Sequence, residues 1–342
     1  MRSGLSKEEL GEASQGLRNW RRSIPALRFA GTAIMFYILV TKVQWASLDQ
    51  IGKRGAKLIV LAFIVTIFAI FLSTIRWHRV LRALGVRLRV RDLIEMQFAG
   101  MFAGNFLPST VGGDIMRASW LTKLSKAKSD SQASVVLERL TGWLVLPVLV
   151  IFGLLMDPSI LQFGSISKVI VAVAAVTLIG LLVLVSLARS NRLFSPSSPL
   201  RFLNSFMESI SRGVEKLENH PAGLVRLLGW AFLYQLCVIV ASILAAQALA
   251  VSIGWREMLV FVPTVAMLQV LPLTIGGLGI REGALVLLLH PFGVGSAQAI
   301  AFGLLVYGLN IAASLLGAPS FALSSKRNYQ STSSPDLESD TT

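Results

Sequence analysis

Long runs of apolar residues, separated by short polar segments, dominate the chain. These runs lie at 58–75, 140–156, 169–188, 227–253, 258–280 and 297–323. A helix needs about 20 apolar residues to cross the hydrocarbon core of a bilayer, and backbone that crosses lipid must satisfy its own hydrogen bonds. The pattern therefore predicts an all-α polytopic membrane protein.

We expect about six full spans and two further elements that do not cross cleanly. The spans are predicted at about 27–43, 57–75, 138–156, 168–188, 226–250 and 297–323. Segments 92–113 and 257–290 are apolar but interrupted by Pro and Gly, so we interpret each as a re-entrant hairpin or a broken helix. This layout gives a cytosolic N-terminal segment (1–25), one membrane domain (26–323) and a disordered cytosolic tail (324–342).

Charge is sparse but strongly positive. The formal net charge is +14, although only 15% of the residues are charged. In a membrane protein such an excess marks cytoplasmic loops and contacts with anionic headgroups, so we expect no nucleic-acid partner. Segment 76–91 holds six Arg and no acid, which predicts a cytosolic loop and cytoplasmic N- and C-termini in a multi-pass protein of the cell's inner membrane. Residues 42–57, which this layout places outside, are also basic and argue against it.

Tryptophan positions fit the same layout. Trp is enriched at membrane–water interfaces, and six of the seven Trp lie near predicted span ends. They are Trp20, Trp45, Trp77, Trp143, Trp230 and Trp255.

One motif occurs twice, 164 residues apart. Residues 107–117 read LPSTVGGDIMR and residues 271–281 read LPLTIGGLGIR. Both copies lie in apolar surroundings, and together with the predicted spans the first opens from the cytosolic side and the second from the outside. The repeat therefore predicts an inverted repeat of two broken helices, which is how many transporters build a site for alternating access. The six shared positions are Leu107 and Leu271, Pro108 and Pro272, Thr110 and Thr274, Gly112 and Gly276, Gly113 and Gly277, and Arg117 and Arg281.

The motif suits an anionic ligand. Each Pro removes a backbone donor, each Gly pair allows positive φ and close approach, and the amides at the start of the following helix favour a phosphate. Arg117 and Arg281 follow about one turn later and offer bidentate donors. Two such half-sites, one at each face, would bind a headgroup before and after it crosses. The alternative is that the Gly pairs only allow tight helix packing.

Acidic residues near the motif leave several roles open. Asp114 follows the first Gly pair, whereas Glu282 follows the second Arg, so each copy has one acid at a different position. These acids would form structural ion pairs, neutralise an empty site, bind a cationic headgroup or carry protons. Glu138 and Arg139 open the third span and either line the same cavity or mark the interface.

The motifs resemble a known family, the transmembrane region of lysylphosphatidylglycerol synthases and their stand-alone flippase-like relatives. The resemblance covers about residues 25–323 and implies lipid translocation. In full-length synthases a soluble aminoacyltransferase domain makes the lipid; here only a short tail follows the last span, which argues against synthesis. The matching pieces are Arg76-Trp77, Asn105 through Pro108 and Gly112-Gly113-Asp114 to Arg117, Glu138-Arg139, and Leu271-Pro272 through Gly276-Gly277 to Arg281-Glu282-Gly283.

The expected function is a flippase or transporter of a phospholipid or another lipid with a polar headgroup. Its partner would be an anionic or phosphate-bearing headgroup, and an oligomer is allowed. The three His are scattered and Cys237 is the single Cys, so we expect no metal, no cofactor and no catalytic residues. A membrane-embedded enzyme or an accessory subunit acting on a lipid-linked substrate remains the alternative, as does a non-transporting assembly partner.

Overall fold

The described part of the protein is helical. The computed structural model describes residues 52–106, 112–125, 128–190, 211, 214–215, 221–269 and 279–322. Within these ranges it contains no strand, which confirms the predicted all-α class. The helices are α1 (Lys53–Ala83), α2 (Val90–Phe106), α3 (Gly112–Ser125), α4 (Lys128–Met156), α5 (Ser165–Ser190), α6 (Pro221–Ala248), α7 (Trp255–Leu268), α8 (Ile280–Leu289) and α9 (Ser296–Ser314). Short 3₁₀ turns cover Pro158–Gln162, His290–Phe292 and Leu315–Gly317.

Five of the described helices are long and apolar enough to cross a membrane. They are α1, α4, α5, α6 and α9, the last continued to Ala322. Their ranges contain or closely match the predicted spans at 57–75, 138–156, 168–188, 226–250 and 297–323. The predicted span at 27–43, the N-terminal segment 1–25 and the tail 324–342 lie outside the described residues.

The first broken element is an antiparallel helical hairpin. Helices α2 and α3 are joined by residues 107–111 and pack closely, with Gly100 and Gly104 facing Gly113. The hydroxyl groups of Ser125, at the end of α3, and Ser131, near the start of α4, are 3.1 Å apart. The hairpin therefore leaves the bundle at the end where α4 begins.

The second broken element lies at the other end of α4. Helices α7 and α8 flank residues 270–278 and contact each other. Leu259 and Val260, near the start of α7, pack against Gly153, near the end of α4. The α7–α8 hairpin thus begins at the end of the bundle opposite to the α2–α3 hairpin.

The main apolar core joins α1, α4, α5, α6, α7, α8 and α9. Its largest fully buried side chains include Phe261 and Phe302. Helix α5 contributes Ile170 and Ala174 to this core. Its outer face leaves Val176, Ile179 and Leu182 more than half exposed. Apolar residues on an outer helix face meet lipid in a membrane protein, so this exposure matches a helix at the edge of the bundle.

The structure corrects the prediction for segment 76–91. This segment is not a loop throughout, because α1 continues to Ala83. Trp77 is completely buried, and its indole nitrogen donates a hydrogen bond to the Ser134 hydroxyl, 3.1 Å away. It is therefore not part of an interfacial belt. The basic composition hid this, because a run of Arg looks the same whether its first member lies in a loop or on the inner face of a helix.

Candidate functional site

A polar cavity lies between the two hairpins and the long helices. Its volume is about 410 Å³. Arg117 from the first copy of the repeat and Arg281 from the second both line it, together with Arg139. The other polar side chains that line it are Gln97, Asn105, Asp114, Gln269, Tyr307 and Asn310.

Arg117 is fixed from three sides. It lies in α3 with only 4% of its surface exposed. Its guanidinium donates to Gln97 Oε1 at 2.5 Å, to Asp114 Oδ1 at 2.6 Å and to Glu138 Oε2 at 3.4 Å. It also lies over the Trp77 ring, 5.0 Å from the centroid, a cation–π arrangement. These contacts hold one face of the cation at the cavity wall.

Asp114 joins two of the arginines in the cavity. Each of its carboxylate oxygens accepts a hydrogen bond from Arg139 at 3.0 Å, and Oδ1 also accepts one from Arg117. Asp114 lies in the first turn of α3, where a negative charge is favoured by the helix dipole. Arg139 is half exposed, so this pair faces the open part of the cavity.

Glu138 lies behind the cavity wall. It is 3% exposed; its Oε1 accepts hydrogen bonds from Arg76 and from the Ser73 hydroxyl, while its Oε2 pairs with Arg117. Glu138 and Arg139 are neighbours in sequence but point about 100° apart around α4, which is why they reach different partners. Of the two roles that the sequence left open for this pair, the structure shows the first for Arg139, which lines the cavity, while Glu138 is buried behind the cavity wall.

Within the part of the chain that the structure describes, Arg281 has one unpaired donor in the cavity wall, and Arg76, behind the wall, has two. It is 6% exposed, its Nε donates to Glu282 Oε1 at 3.0 Å, and its guanidinium lies 4.6 Å from the centroid of the Tyr307 ring. Its Nη2 is buried and has no hydrogen-bond partner among the described residues. A buried donor without a partner is costly, so an anion in the cavity would stabilise it.

Glu282 has a different role from Asp114. It is 1% exposed, and its Oε2 accepts a hydrogen bond from the Gly279 backbone N–H at 2.6 Å. Gly279 has φ of +88°, which favours glycine, and it is the N-cap of α8, which begins at Ile280. Arg281 is therefore in the first turn of its helix, and the acid occupies the helix start that the sequence analysis assigned to a phosphate.

Glycines make the α2–α3 contact possible. A Cβ on Gly113 would overlap the carbonyl oxygen of Gly100, and one on Gly100 would lie 2.6 Å from Cγ of Arg117. Gly113 is buried, whereas Gly112 is half-buried at the start of α3. Gly113 therefore allows α2 and α3 to pack closely, a role that small residues commonly have between membrane helices. Pro108, Pro272, Gly276 and Gly277 lie outside the described residues.

The two arginines of the repeat share one cavity. The sequence suggested two half-sites, one at each face, but Arg117 and Arg281 line the same space. The reason is that each hairpin begins at its own end of the bundle and folds back inside it. The helices that follow the two breaks therefore start near each other.

A second, smaller cavity adjoins the first. Its volume is about 110 Å³, and it shares Gln97, Met101 and Asn310 with the larger one. It extends between α1, α6 and α9 and is lined by hydroxyl-bearing side chains as well as apolar ones. The hydroxyl groups belong to Thr66, Ser73, Tyr234 and Ser242.

Several residues of the site were not identified from the sequence. Arg76 is 4% exposed, pairs with Glu138 and lies 5.3 Å from the centroid of the Tyr234 ring. A signal for it existed, because Thr66, Ser73 and Arg76 follow one another at spacings that fall on one side of a helix. Gln97, Gln269, Tyr307 and Asn310 carried no comparable pattern.

Comparison with known proteins gives a consistent family. The family model described as the lysylphosphatidylglycerol synthase TM region matches residues 26–317. A UPF0104 membrane protein of Pyrococcus horikoshii is 24% identical over 300 residues, which cover 78% of this chain and 88% of the relative. A UPF0104 membrane protein of Archaeoglobus fulgidus is 22% identical over 307 residues, which cover 82% and 91% of the two chains. These matches confirm the resemblance drawn from the motifs: the chain belongs to the lysylphosphatidylglycerol synthase TM-region family.

Proposed function

We propose that this protein moves a lipid with a phosphate-bearing polar headgroup between the leaflets of the cell's inner membrane, and that the cavity between the hairpins binds the headgroup. The observation that carries this proposal is Arg281. It is buried in the cavity wall with a donor that has no partner among the described residues. Arginine matches phosphate with planar, bidentate donors.

Arginine side chains inside a membrane helix bundle usually have a functional role. Charged residues inside membrane bundles are expensive, and they commonly mark a substrate pathway. Three arginines line a cavity of about 410 Å³, which has room for at least about a dozen water molecules at roughly 30 Å³ each. Such a space suits a small headgroup that keeps part of its hydration while its acyl chains stay in lipid.

The smaller cavity supports a route for the headgroup. It adjoins the arginine cavity at Gln97 and Asn310 and presents the hydroxyl groups of Thr66, Ser73 and Ser242. A headgroup that leaves the arginines would meet neutral hydrogen-bonding groups next, which replace water without trapping the charge.

The opposite orientation of the two hairpins supports an inverted repeat. In this proposal Pro108 and Pro272 break equivalent helices, the Gly pairs Gly112–Gly113 and Gly276–Gly277 allow the chain to turn, and rocking of one half against the other opens the cavity to each face in turn. The N- and C-termini are cytoplasmic in this arrangement. The protein makes and breaks no covalent bond in its substrate.

Leaflet exchange in vesicles tests the proposal. The full chain is reconstituted in phosphatidylcholine vesicles that contain fluorescent phosphatidylglycerol, and exchange is followed by quenching of the outer leaflet. We expect Arg281→Gln and Arg117→Gln to slow exchange by about tenfold or more, because each removes a charge-assisted hydrogen bond to the headgroup.

Arg256→Gln is the matched control. Arg256 is exposed and lies over the Trp255 ring near the start of α7, away from the cavity, so this variant should exchange lipid like the wild type. Equal exchange by wild type, Arg281→Gln and Arg117→Gln would refute the proposed site, and no exchange above protein-free vesicles would refute the proposed function.

A further inference from the structure

The charged residues buried in the described part of the chain do not balance in sign. Those buried there are Arg76, Arg117, Glu138, Arg281 and Glu282. Three arginines against two glutamates leave one positive charge. The partly exposed pair of Asp114 and Arg139 is neutral and does not change this result.

The neighbouring segments do not alter the balance. Residues 107–111 and 270–278, which join the helices of the two hairpins, contain no charged residue in the sequence. A net charge in an apolar interior is unfavourable unless something compensates it. Among the described residues and these two linking segments, the cavity wall therefore carries one positive charge that no buried carboxylate matches.

The carboxylates near the cavity are already engaged. Asp114 accepts hydrogen bonds from Arg117 and Arg139, Glu138 from Arg76 and Ser73, and Glu282 from Arg281 and the Gly279 backbone. A headgroup ammonium would have to share one of these carboxylates with a guanidinium, and the two cations would repel each other. The cavity is thus poorly suited to a headgroup that carries its own cation.

The uncharged polar side chains that line the cavity suit a ligand with hydroxyl groups. Gln97, Asn105, Gln269 and Asn310 supply carboxamides, and Tyr307 supplies a phenol. Carboxamides both donate and accept hydrogen bonds, as hydroxyl groups of glycerol or a sugar do. The arginines would then bind the phosphate and the amides the remainder of the headgroup.

We propose that the cavity selects a headgroup with a single negative charge, a phosphodiester that carries an uncharged hydroxylated group, over phosphomonoester and zwitterionic headgroups. This inference rests on the proposed function and names its substrate class. Asp114 sets the preferred charge, since its removal would leave the cavity with two uncompensated positive charges.

Competitive binding to the purified full chain tests the inference. The probes are three dihexanoyl lipids at pH 8: phosphatidylglycerol, phosphatidic acid and phosphatidylcholine. Phosphatidylglycerol carries one negative charge, and phosphatidylcholine is zwitterionic. Phosphatidic acid is a phosphomonoester, which carries close to two negative charges above its second pKa of about 6. We expect phosphatidylglycerol to bind at least about tenfold more tightly than either of the others, since one charge-assisted hydrogen bond changes affinity by about that factor.

Two variants shift the charge in opposite directions. Asp114→Asn adds one positive charge and should move the affinity ratio by about tenfold or more toward phosphatidic acid. Arg139→Gln removes one and should move the ratio toward phosphatidylcholine; Arg139 is half exposed, so this variant should fold. Asp92→Asn is the matched control, because Asp92 is a partly exposed acid in a surface pair with Arg89, and it should leave all ratios unchanged.

The outcomes separate the two proposals. Equal affinity of the wild type for the three probes, or ratios that neither Asp114→Asn nor Arg139→Gln changes, would overturn the charge selection and leave the transport proposal standing if exchange still depends on Arg281. If no probe binds and lipid exchange is absent, both proposals fall.

Discussion

At the scale of single residues, the site is a chain of alternating charges. Glu138 holds Arg76 and Arg117, and Asp114 holds Arg117 and Arg139. Arg117 is shared by both carboxylates, so its guanidinium has little freedom to move. Buried charges need such partners, because an ion without one is strongly unfavourable in an apolar interior.

Glu138→Gln should be strongly destabilising. The change leaves Arg76 and Arg117 with one carboxylate fewer, and breaking a buried pair by removing one partner costs about 3–5 kcal/mol. Thermal unfolding of the purified protein in detergent measures the effect as a lower Tm.

The control for Glu138 is Glu95→Gln. Glu95 is half exposed and pairs with the exposed Arg91 at 3.5 Å, a surface contact worth about 0–1 kcal/mol. A Glu138→Gln protein that melts at the same temperature as Glu95→Gln would contradict the supporting role of Glu138.

The sequence indicated part of this cluster and missed the rest for a physical reason. Asp114, Arg117, Arg281 and Glu282 could be predicted because charges beside a Pro and Gly break inside an apolar run are unusual. Arg76 carried only the signal of its helical spacing from Thr66 and Ser73, and the surface arginines that follow it obscured that signal, since its burial depends on the partner that α4 brings to it.

At the scale of helices, the α2–α3 hairpin depends on the absence of side chains where its two helices cross. Gly100, Gly104 and Gly113 bring the two backbones together and allow Arg117 to pass beside Gly100. Small residues let membrane helices approach closely and pack by van der Waals contact. The position of Arg117 in the cavity wall therefore follows from a glycine contact.

Gly113→Ala should push helices α2 and α3 of the hairpin apart. The added Cβ would overlap the Gly100 carbonyl oxygen, and because a backbone atom cannot rotate away, we expect a loss of about 1–3 kcal/mol, typical of overpacking. Melting in detergent and the affinity for dihexanoyl phosphatidylglycerol should both decrease.

Gly180→Ala is the control for this change. Gly180 is exposed in α5, and a Cβ there would meet nothing within 4 Å, so alanine should be neutral or stabilise the helix by up to about 1 kcal/mol. If Gly113→Ala behaves like Gly180→Ala, the glycine contact does not position Arg117.

Most helices could be predicted from hydropathy alone, because apolar runs of span length have few alternatives in lipid. The two broken elements were also recognised, through Pro and Gly. What the sequence did not give was how far each helix extends and which faces meet. Both depend on side-chain packing, and the continuation of α1 to Ala83 is the clearest example.

At the scale of the whole molecule, the duplicated motif serves one central space. Topology alone suggested a half-site at each face, since the two hairpins begin at opposite ends of the bundle. The structure brings Arg117 and Arg281 to one cavity, because both hairpins fold back inside it. Under the proposed function, this cavity would be a single central site reached from each side in turn, as in transporters built from inverted repeats.

The most direct measurement is the stoichiometry of headgroup binding together with its dependence on the two repeat arginines. Calorimetric titration of the purified chain with dihexanoyl phosphatidylglycerol should give one site per chain. Arg117→Gln and Arg281→Gln should each weaken that same site by about tenfold or more, and the double variant should lose less than the sum of the two losses, because both groups bind one ligand. Two independent sites per chain, each weakened by only one of the substitutions, would contradict the account.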